Sequence, residues 1–380
     1  MLILGAGLMG SALAYHLSRA GGLRVLVYDE AYPTAGASGK GAGIVSAQCW
    51  DPWDVRVVEE TREEYRELSR RHGHGGYQEN GSVRVVSRSE ELPVLRERER
   101  TLRTEGVPAR WLEPVELAAA VPALDPRGLL AGLLTPKDAV VDPPEMVFLY
   151  AELAQRQGVE FTWGWGFEGL ERSPSGWTVR TRGGELSGRE LVLASGAATK
   201  RLAASCGASL PLAPYRTQAC RLLRETGGDS FPSVHDTATD VYVRPSAGGS
   251  LVAGDGTELT ESDPDRYNPG ADFSFYVHLA ETFRDRFPGW ASSRLARGWA
   301  GLCVATPDRR PLVGRVASVP HLLVACGFNG FGVMRAGALA SRLAREMTDG
   351  PRDLLSPCDP ARFPPEGVGF APRPGFTLES

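Results

Sequence analysis

The opening of the chain, MLILGAGLMGSALAYHL, places glycines at positions 5, 7 and 10 directly after a three-residue apolar run. In that setting the first glycine turns the chain, the second lets backbone N–H groups approach a diphosphate, and the third lets a helix pack closely on the strand. Leu2, Ile3 and Leu4 read as a buried strand, residues 11–20 as a helix stopped by Gly21 and Gly22, and residues 24–28 as a second strand ending at Asp29 and Glu30. The interval from Gly5 to Asp29 suits a βαβ unit whose terminal carboxylate reaches the ribose of a bound dinucleotide. The motif commits the start of the chain to an α/β fold and leaves open which dinucleotide it holds.

At 380 residues the chain has room for two domains with separate cores. A net charge of −4 and a pI near 6.0 provide no basic field for nucleic acid or an anionic membrane surface. Cys49, Cys206, Cys220, Cys303, Cys326 and Cys358 lie far apart, with neither a C-x-x-C pair nor ligand spacing to histidine. The expectation is a reduced, cytoplasmic protein without metal. No basic leader precedes the first apolar run, and nothing approaches the roughly 20 uncharged residues that span a bilayer.

Residues 33–50 read as a loop rich in small residues. Asp51-Pro52 has the form of an N-cap followed by proline at the first helical position, and Trp53, Val57, Thr61, Tyr65 and Leu68 then recur at helical spacing up to Gly73. That stripe is expected in the core, and His72 and His74 on a solvated helix end. Residues 76–140 and 207–297 change texture, with short β-prone pieces such as SVRVV (82–86) and DVYVRP (240–245). The organisation expected is interleaved: residues 1–75, 141–206 and 298–350 form one domain, residues 76–140 and 207–297 a second, and residues 351–380 a C-terminal arm.

Three stretches narrow the dinucleotide: GASGKGAG (36–43), WAGLCVATPDRRPLVG (299–314) and ACGFNGFGVMRAGALASRLA (325–344). Together with the first motif, up to about residue 345, they resemble the D-amino-acid oxidase superfamily of FAD enzymes, its sarcosine oxidase, glycine oxidase and dye-linked proline dehydrogenase branch. The resemblance implies a Rossmann-like FAD-binding domain of the GR2 type, interleaved with an α+β substrate domain on a mostly antiparallel sheet. It implies that Gly5, Gly7 and Gly10, with Leu8 and Met9 between them, surround the FAD diphosphate, and that Asp29 and Glu30 meet the adenosine ribose. Ser38, Lys40, Gly41, Ala42 and Gly43 would lie beside the ribityl chain and ring, Phe167 on the adenine side, and Ser195 and Gly196 at the sheet edge. Gly327, Asn329, Gly330, Phe331, Gly332, Val333 and Met334 would bring a helix N-terminus to the pyrimidine end of the flavin, where reduction places negative charge.

The resemblance further implies oxidation of a C–N bond, with hydride passing from the carbon beside nitrogen to flavin N5 and giving an imine. Where some relatives attach the flavin through cysteine, this chain has Gly301, so the FAD is expected to be noncovalent. Cys303 stands where glycine oxidases have a carboxylate-binding arginine, Met334 where sarcosine oxidases have a lysine, and Phe331 where they have a histidine. Val252 aligns with the lysine that helps relatives reduce oxygen, which tilts the expectation toward a dehydrogenase with another acceptor. Tyr242 and Arg244 on a pocket strand, with Gln48 and Trp50 at the end of the flavin-side loop, become the substrate candidates, with Arg335 a weaker one. Arg244 ranks first for a carboxylate because a guanidinium is a bidentate fork. Cys303 and Phe331 border the same pocket; Cys303 and Cys326 are read as buried small residues rather than reactive thiols. The partners expected are a small amine or amino acid and oxygen or another acceptor, with a homo-oligomer or hetero-complex open. A 2-hydroxy acid dehydrogenase, a non-catalytic flavin-binding subunit and a nicotinamide enzyme are the competing readings.

Overall fold

The computed structural model describes residues 1–49, 51–224, 230–255, 263–350 and 353–364. Trp50, residues 351 and 352, and residues 365–380 of the expected arm lie outside them.

The first βαβ unit forms as its glycines dictate: Leu2–Leu4, the helix Leu8–Ala20, then Leu26–Asp29, with the helix starting three residues before the expected 11. Around it runs a six-stranded sheet in the order Leu312–Arg315, Leu322–Cys326, Leu191–Leu193, Leu2–Leu4, Leu26–Asp29 and Glu160–Trp163. All neighbours are parallel except Leu312–Arg315 against Leu322–Cys326. A parallel sheet buries both faces, and alternate residues of its strands enter different cores. Ile3, Val27, Val192 and Leu323 join the core beneath the helices Leu8–Ala20, Pro52–His72, Pro143–Gln155 and Gly332–Asp349. Leu2, Leu4, Leu191 and Leu193 join the opposite core, under the antiparallel strands Phe167–Ser173, Gly176–Thr181 and Gly184–Gly188. Asp51 caps the Pro52–His72 helix, its carboxylate accepting from Asp54 N at 3.0 Å, and Gly73 closes it at φ +74°. Val57, Thr61, Tyr65 and Leu68 of the expected stripe are buried, and Trp53 packs partly buried against the same core.

A second, eight-stranded sheet has the order Arg294–Ala305, Ala213–Leu223, Leu251–Gly254, Val241–Pro245, Ser233–Asp236, Ser82–Val86, Ala131–Thr135 and Arg110–Leu112. It is antiparallel apart from the pairing of Ser233–Asp236 with Ser82–Val86. Residues 298–305 therefore continue this sheet, whereas the sequence assigned the piece from 298 onward to the dinucleotide side. Val83, Val85, Val234, Val241, Val243 and Ala253 bury one face against the helix Phe273–Asp285. The period of two then sends Ser82, Arg84, Ser233, His235 and Tyr242 to the other face, which looks toward the first sheet. Register aligns one row across this face: Trp299, Ala219, Gly254, Tyr242, His235 and Arg84.

Residues 353–364 carry the chain back over the surface, Leu355 and Cys358 entering the core and Arg362 pairing with Asp308 at 2.6 Å.

Candidate active site

Two cavities meet between the sheets. The first, about 430 Å³, is a cleft over the carboxyl ends of the parallel strands, the usual ligand position of an open α/β sheet. Gly5 turns here at φ +107°, and a Cβ on it would strike the carbonyl of Ala194 on the neighbouring strand end. A Cβ on Gly10 would strike the carbonyl of Gly5, so this glycine serves the packing of helix on strand and does not line the cleft. Gly7 begins the Leu8–Ala20 helix with neither a side-chain cap nor an acidic residue in its first turn, and a Cβ there would sit 3.0 Å from Ser38 Oγ. Ser38 Oγ accepts from Leu8 N at 2.9 Å, tying the loop 36–43 to the turn. Asp29 accepts from Ala6 N at 2.9 Å and from Ala31 N at 3.0 Å; burial nevertheless pushes its carboxyl above the usual carboxylate range. Leu8, Met9, Glu30, Phe167, Ser195 and Gly196 complete this end.

The far end is built by the loop 327–331 and the helix Gly332–Asp349. Gly327, Gly330, Gly332 and Val333 line it, and the helix again starts with no side-chain cap and no acidic residue in its first turn. Two helix N-termini thus open on one cleft, where their partial positive charge favours an anion or an electron-rich ring edge. Asn329 is turned away: fully buried at φ +54°, it accepts from Thr306 N at 3.0 Å and donates to Gly327 O at 2.6 Å. It shapes the loop and faces neither cavity.

The second cavity, about 340 Å³, shares Gly41, Leu302, Cys303, Gly330 and Val333 with the first, so the two communicate. Lys40, Ala42, Gly43, Gly301, Phe331 and Met334 form the wall next to the cleft; Tyr242, His235, Arg84 and Ser82 form the wall of the eight-stranded sheet, joined by Gln48 from the loop after Ile44–Val45. Of the cofactor candidates, Lys40, Ala42, Gly43, Gly301, Phe331 and Met334 border this space rather than the first cleft. Lys40 donates to Tyr267 Oη, its backbone carbonyl accepts from Trp299 Nε1 at 2.9 Å, and its stem fills the volume that a side chain at 301 would need. Burial raises the Cys303 thiol to about 11 and the Cys326 thiol to about 11, the range of inert buried cysteines.

Three expectations are corrected, two for the substrate and one for oxygen. Arg244 does not line the cavity: its guanidinium donates to the carbonyls of Ala42 and of Pro245, the latter at 2.8 Å, and burial lowers it to about 10. It fixes the flavin-side loop to the second sheet. Arg335 is fully buried, 2.8 Å from the Asp54 carboxylate, because one residue along a helix turns it about 100° away from Met334. Val252 is buried and also outside the cavity. Trp50 lies outside the described residues.

The residue the sequence reading passed over is Arg84. It lines the cavity and approaches His235 Nδ1 at 2.7 Å, while His235 Nε2 lies 2.9 Å from Asp240 Oδ1. The signal was present in SVRVV, a charged residue on the polar side of an alternating strand. No group of three or more His, Cys, Asp or Glu side chains suited to a metal occurs among the described residues, and none of their helices is long and apolar enough to cross a membrane.

The family model described as FAD dependent oxidoreductase, DAO, matches residues 1–346. Hydrogen cyanide synthase subunit HcnC of Pseudomonas aeruginosa is 28% identical over 425 residues, covering 98% of this chain and 98% of the relative. Mitochondrial dimethylglycine dehydrogenase of Rattus norvegicus is 25% identical over 402 residues, covering 95% of this chain and 44% of the relative, so the chain spans less than half of that protein. Among solved structures, L-proline dehydrogenase from P. horikoshii superposes with a TM-score of 0.88 at 25% identity, covering 95% of this chain and 96% of the other. Glycine oxidase from Geobacillus kaustophilus does so with 0.84 at 23% identity, covering 96% and 98%.

Proposed function

The chain belongs to the DAO family of FAD dependent oxidoreductases, and we propose that it oxidises the C–N bond of a small amine or amino acid, with noncovalent FAD in the first cleft and substrate in the second cavity. The observation that carries this reading is the shared wall: Gly41, Leu302, Cys303, Gly330 and Val333 border both spaces, so a ring in one meets a substrate in the other. The cleft suits FAD. Gly5 and Gly7 leave room against Ala194 and Ser38, Asp29 stands at the strand end, and neither N-cap residue, Gly7 or Phe331, caps its helix with a side chain. Glycine at 301, its space filled by the Lys40 stem, offers no thiol for covalent attachment. Bound there, FAD supplies the acceptor for a hydride from the carbon beside nitrogen.

The chain's own residues position the substrate. Arg84 presents a guanidinium to the cavity and is the side chain we assign to a substrate carboxylate, in place of Arg244. His235, with Nδ1 accepting from Arg84 and Nε2 against Asp240, orients that guanidinium for the carboxylate. Tyr242 leans across Gly254, and Phe331 and Met334 close the apolar side. Relatives and structural neighbours include mitochondrial sarcosine dehydrogenase of Homo sapiens, iminodiacetate oxidase from Chelativorans sp. and L-proline dehydrogenase from P. horikoshii. These support an amine carrying a carboxylate.

The alternative reading is a 2-hydroxy acid dehydrogenase, in which the Arg84 guanidinium takes that acid's carboxylate. The test is anaerobic mixing of the yellow protein with proline, sarcosine, D-amino acids and both lactates. Bleaching of the flavin band by an amine is expected, with slow return of colour on admitting air. Bleaching by lactate alone would transfer the function to the second reading, and a band unchanged by every compound would remove both.

A further inference from the structure

The cavity has a polar end that neither FAD nor the reacting C–N bond accounts for. Past Gly43, Ile44 pairs with Val140 and Val45 with Ala139, and the Asp138 carboxylate then accepts from Ser46 Oγ at 2.6 Å and Ala47 N at 3.0 Å. Ile44, Ser46 and Gln48 alternate onto the cavity side, and Gln48 ends the run beside Ser82. Both Gln48 and Ser82 line the substrate cavity and not the FAD cleft.

Gln48 is only 6% exposed, and its amide orientation follows from its partners. Nε2 lies 2.9 Å from Leu133 O and 3.3 Å from Ser82 O, two carbonyls that only accept, so the NH₂ group must face them. It also reaches Thr135 Oγ1 at 3.0 Å. The other end of the amide is thereby fixed as an acceptor, and Oε1 finds no hydrogen-bond partner among the described residues. Ser82, also 6% exposed, has an Oγ in the same condition. Buried polar atoms without partners are uncommon in folded proteins, and these two belong to hydrogen-bonded neighbours that line one cavity.

We infer that Gln48 Oε1 and Ser82 Oγ form a subsite, remote from the flavin, for a neutral substrate group that donates a hydrogen bond, a hydroxyl or a carboxamide. A hydrocarbon end would leave both atoms unsatisfied. An ammonium would share the strand face with Arg84, two residues from Ser82. The inference rests on the proposed amine-oxidising reading and names its substrate class: a carboxylated amine bearing a second, uncharged polar group.

The test separates binding from turnover. Cyclopentanecarboxylate and 3-hydroxycyclopentanecarboxylate have no oxidisable C–N bond, and their dissociation constants are read from perturbation of the oxidised flavin spectrum of the holoprotein. The hydroxylated compound is expected to bind about ten-fold more tightly, the worth of one net hydrogen bond. Gln48→Met and the less invasive Ser82→Ala, which touches no structural hydrogen bond of that side chain, should bring the ratio toward one. In turnover, 4-hydroxyproline isomers should be preferred over proline in the same variant-dependent way. A wild-type ratio near one, or a preference that survives both substitutions, overturns the subsite. The C–N reading falls only if no amine reduces the flavin.

Discussion

Gly5 and Asp138 show how a single position can be tied to its surroundings by geometry or by charge. At φ +107°, with the Ala194 carbonyl where a Cβ would go, Gly5 tolerates no side chain without moving the strand end that floors the cleft. Gly5→Ala is expected to lose about 1–2 kcal/mol to the left-handed backbone alone and to purify largely without FAD, read from the ratio of flavin to protein absorbance. A variant that retains full flavin content would show that the turn does not hold the cofactor. Asp138 is fully buried behind Gln48, accepting from Ser46 Oγ at 2.6 Å and Ala47 N at 3.0 Å, and burial lifts its carboxyl from 3.8 to about 6. Because the folded value lies above the unfolded one, the protonated form stabilises the fold fully below pH 3.8, and this contribution is lost as pH rises through about 6. Asp138→Asn does not titrate. The stability of the native chain relative to this variant should therefore fall by up to about 3 kcal/mol on going from about pH 4 to pH 7, measured by denaturant titration at each pH; a rise would contradict the assignment. Gly5 was legible in the sequence because its reason is local. The role of Arg84 was not, since His235 stands 151 residues away and only strand pairing brings them together.

The helix Gly332–Asp349 does two things with its first turn, and they lie on different faces. Gly332 and Val333 border the FAD cleft, whereas Arg335 points into the core and meets Asp54 from the first turn of the Pro52–His72 helix at 2.8 Å. Burial raises the Asp54 carboxyl, and the Arg335 guanidinium opposes that rise. The pair locks the orientation of the helix whose N-terminus faces the first cleft. Breaking it by Asp54→Asn leaves a buried guanidinium without its counter-ion, and a loss of about 3–5 kcal/mol is expected in chemical denaturation. The double variant Asp54→Leu with Arg335→Met should recover most of that loss, because two apolar side chains need no desolvation of charge. Failure of the double variant to recover would mean that the ion pair shapes the helix entry beyond cancelling its own charges. Motif position had suggested Arg335 for the substrate; the helical turn between residues 334 and 335 decides otherwise. Helix boundaries were legible where caps mark them, as at Asp51 and Gly73. The identity of the residues facing the cavity was set by register between strands, which spacing along one chain does not encode.

At the scale of the whole molecule, the cofactor cleft is a seam between chain segments that fold onto two different sheets. Tyr267, from the segment beside the second sheet, accepts from Lys40 of the flavin-side loop; Asp265 pairs with Arg201 of the helix Thr199–Ser205; and Arg244 holds the Ala42 carbonyl. The Arg201–Asp265 pair is largely exposed, at 57% and 59%, and such pairs contribute little by themselves. Pro264, Asp265 and Tyr267 also line the FAD cleft, so a ligand there adds contact between the two sides that the polar links alone do not supply. Binding to the folded state stabilises it by about 2.7 kcal/mol at one hundred times the dissociation constant. Stripping FAD is therefore expected to lower the melting temperature by several degrees and to open residues 263–267 to limited proteolysis, both reversed by added FAD and neither by added NAD. The same experiment bears on what the sequence left undecided after its first motif, since G-x-G-x-x-G alone serves either dinucleotide. Stabilisation by NAD in place of FAD would return the chain to the nicotinamide reading. Equal melting with and without FAD would mean that the seam closes through its own side chains, and the cleft would lose its role in joining the two sheets.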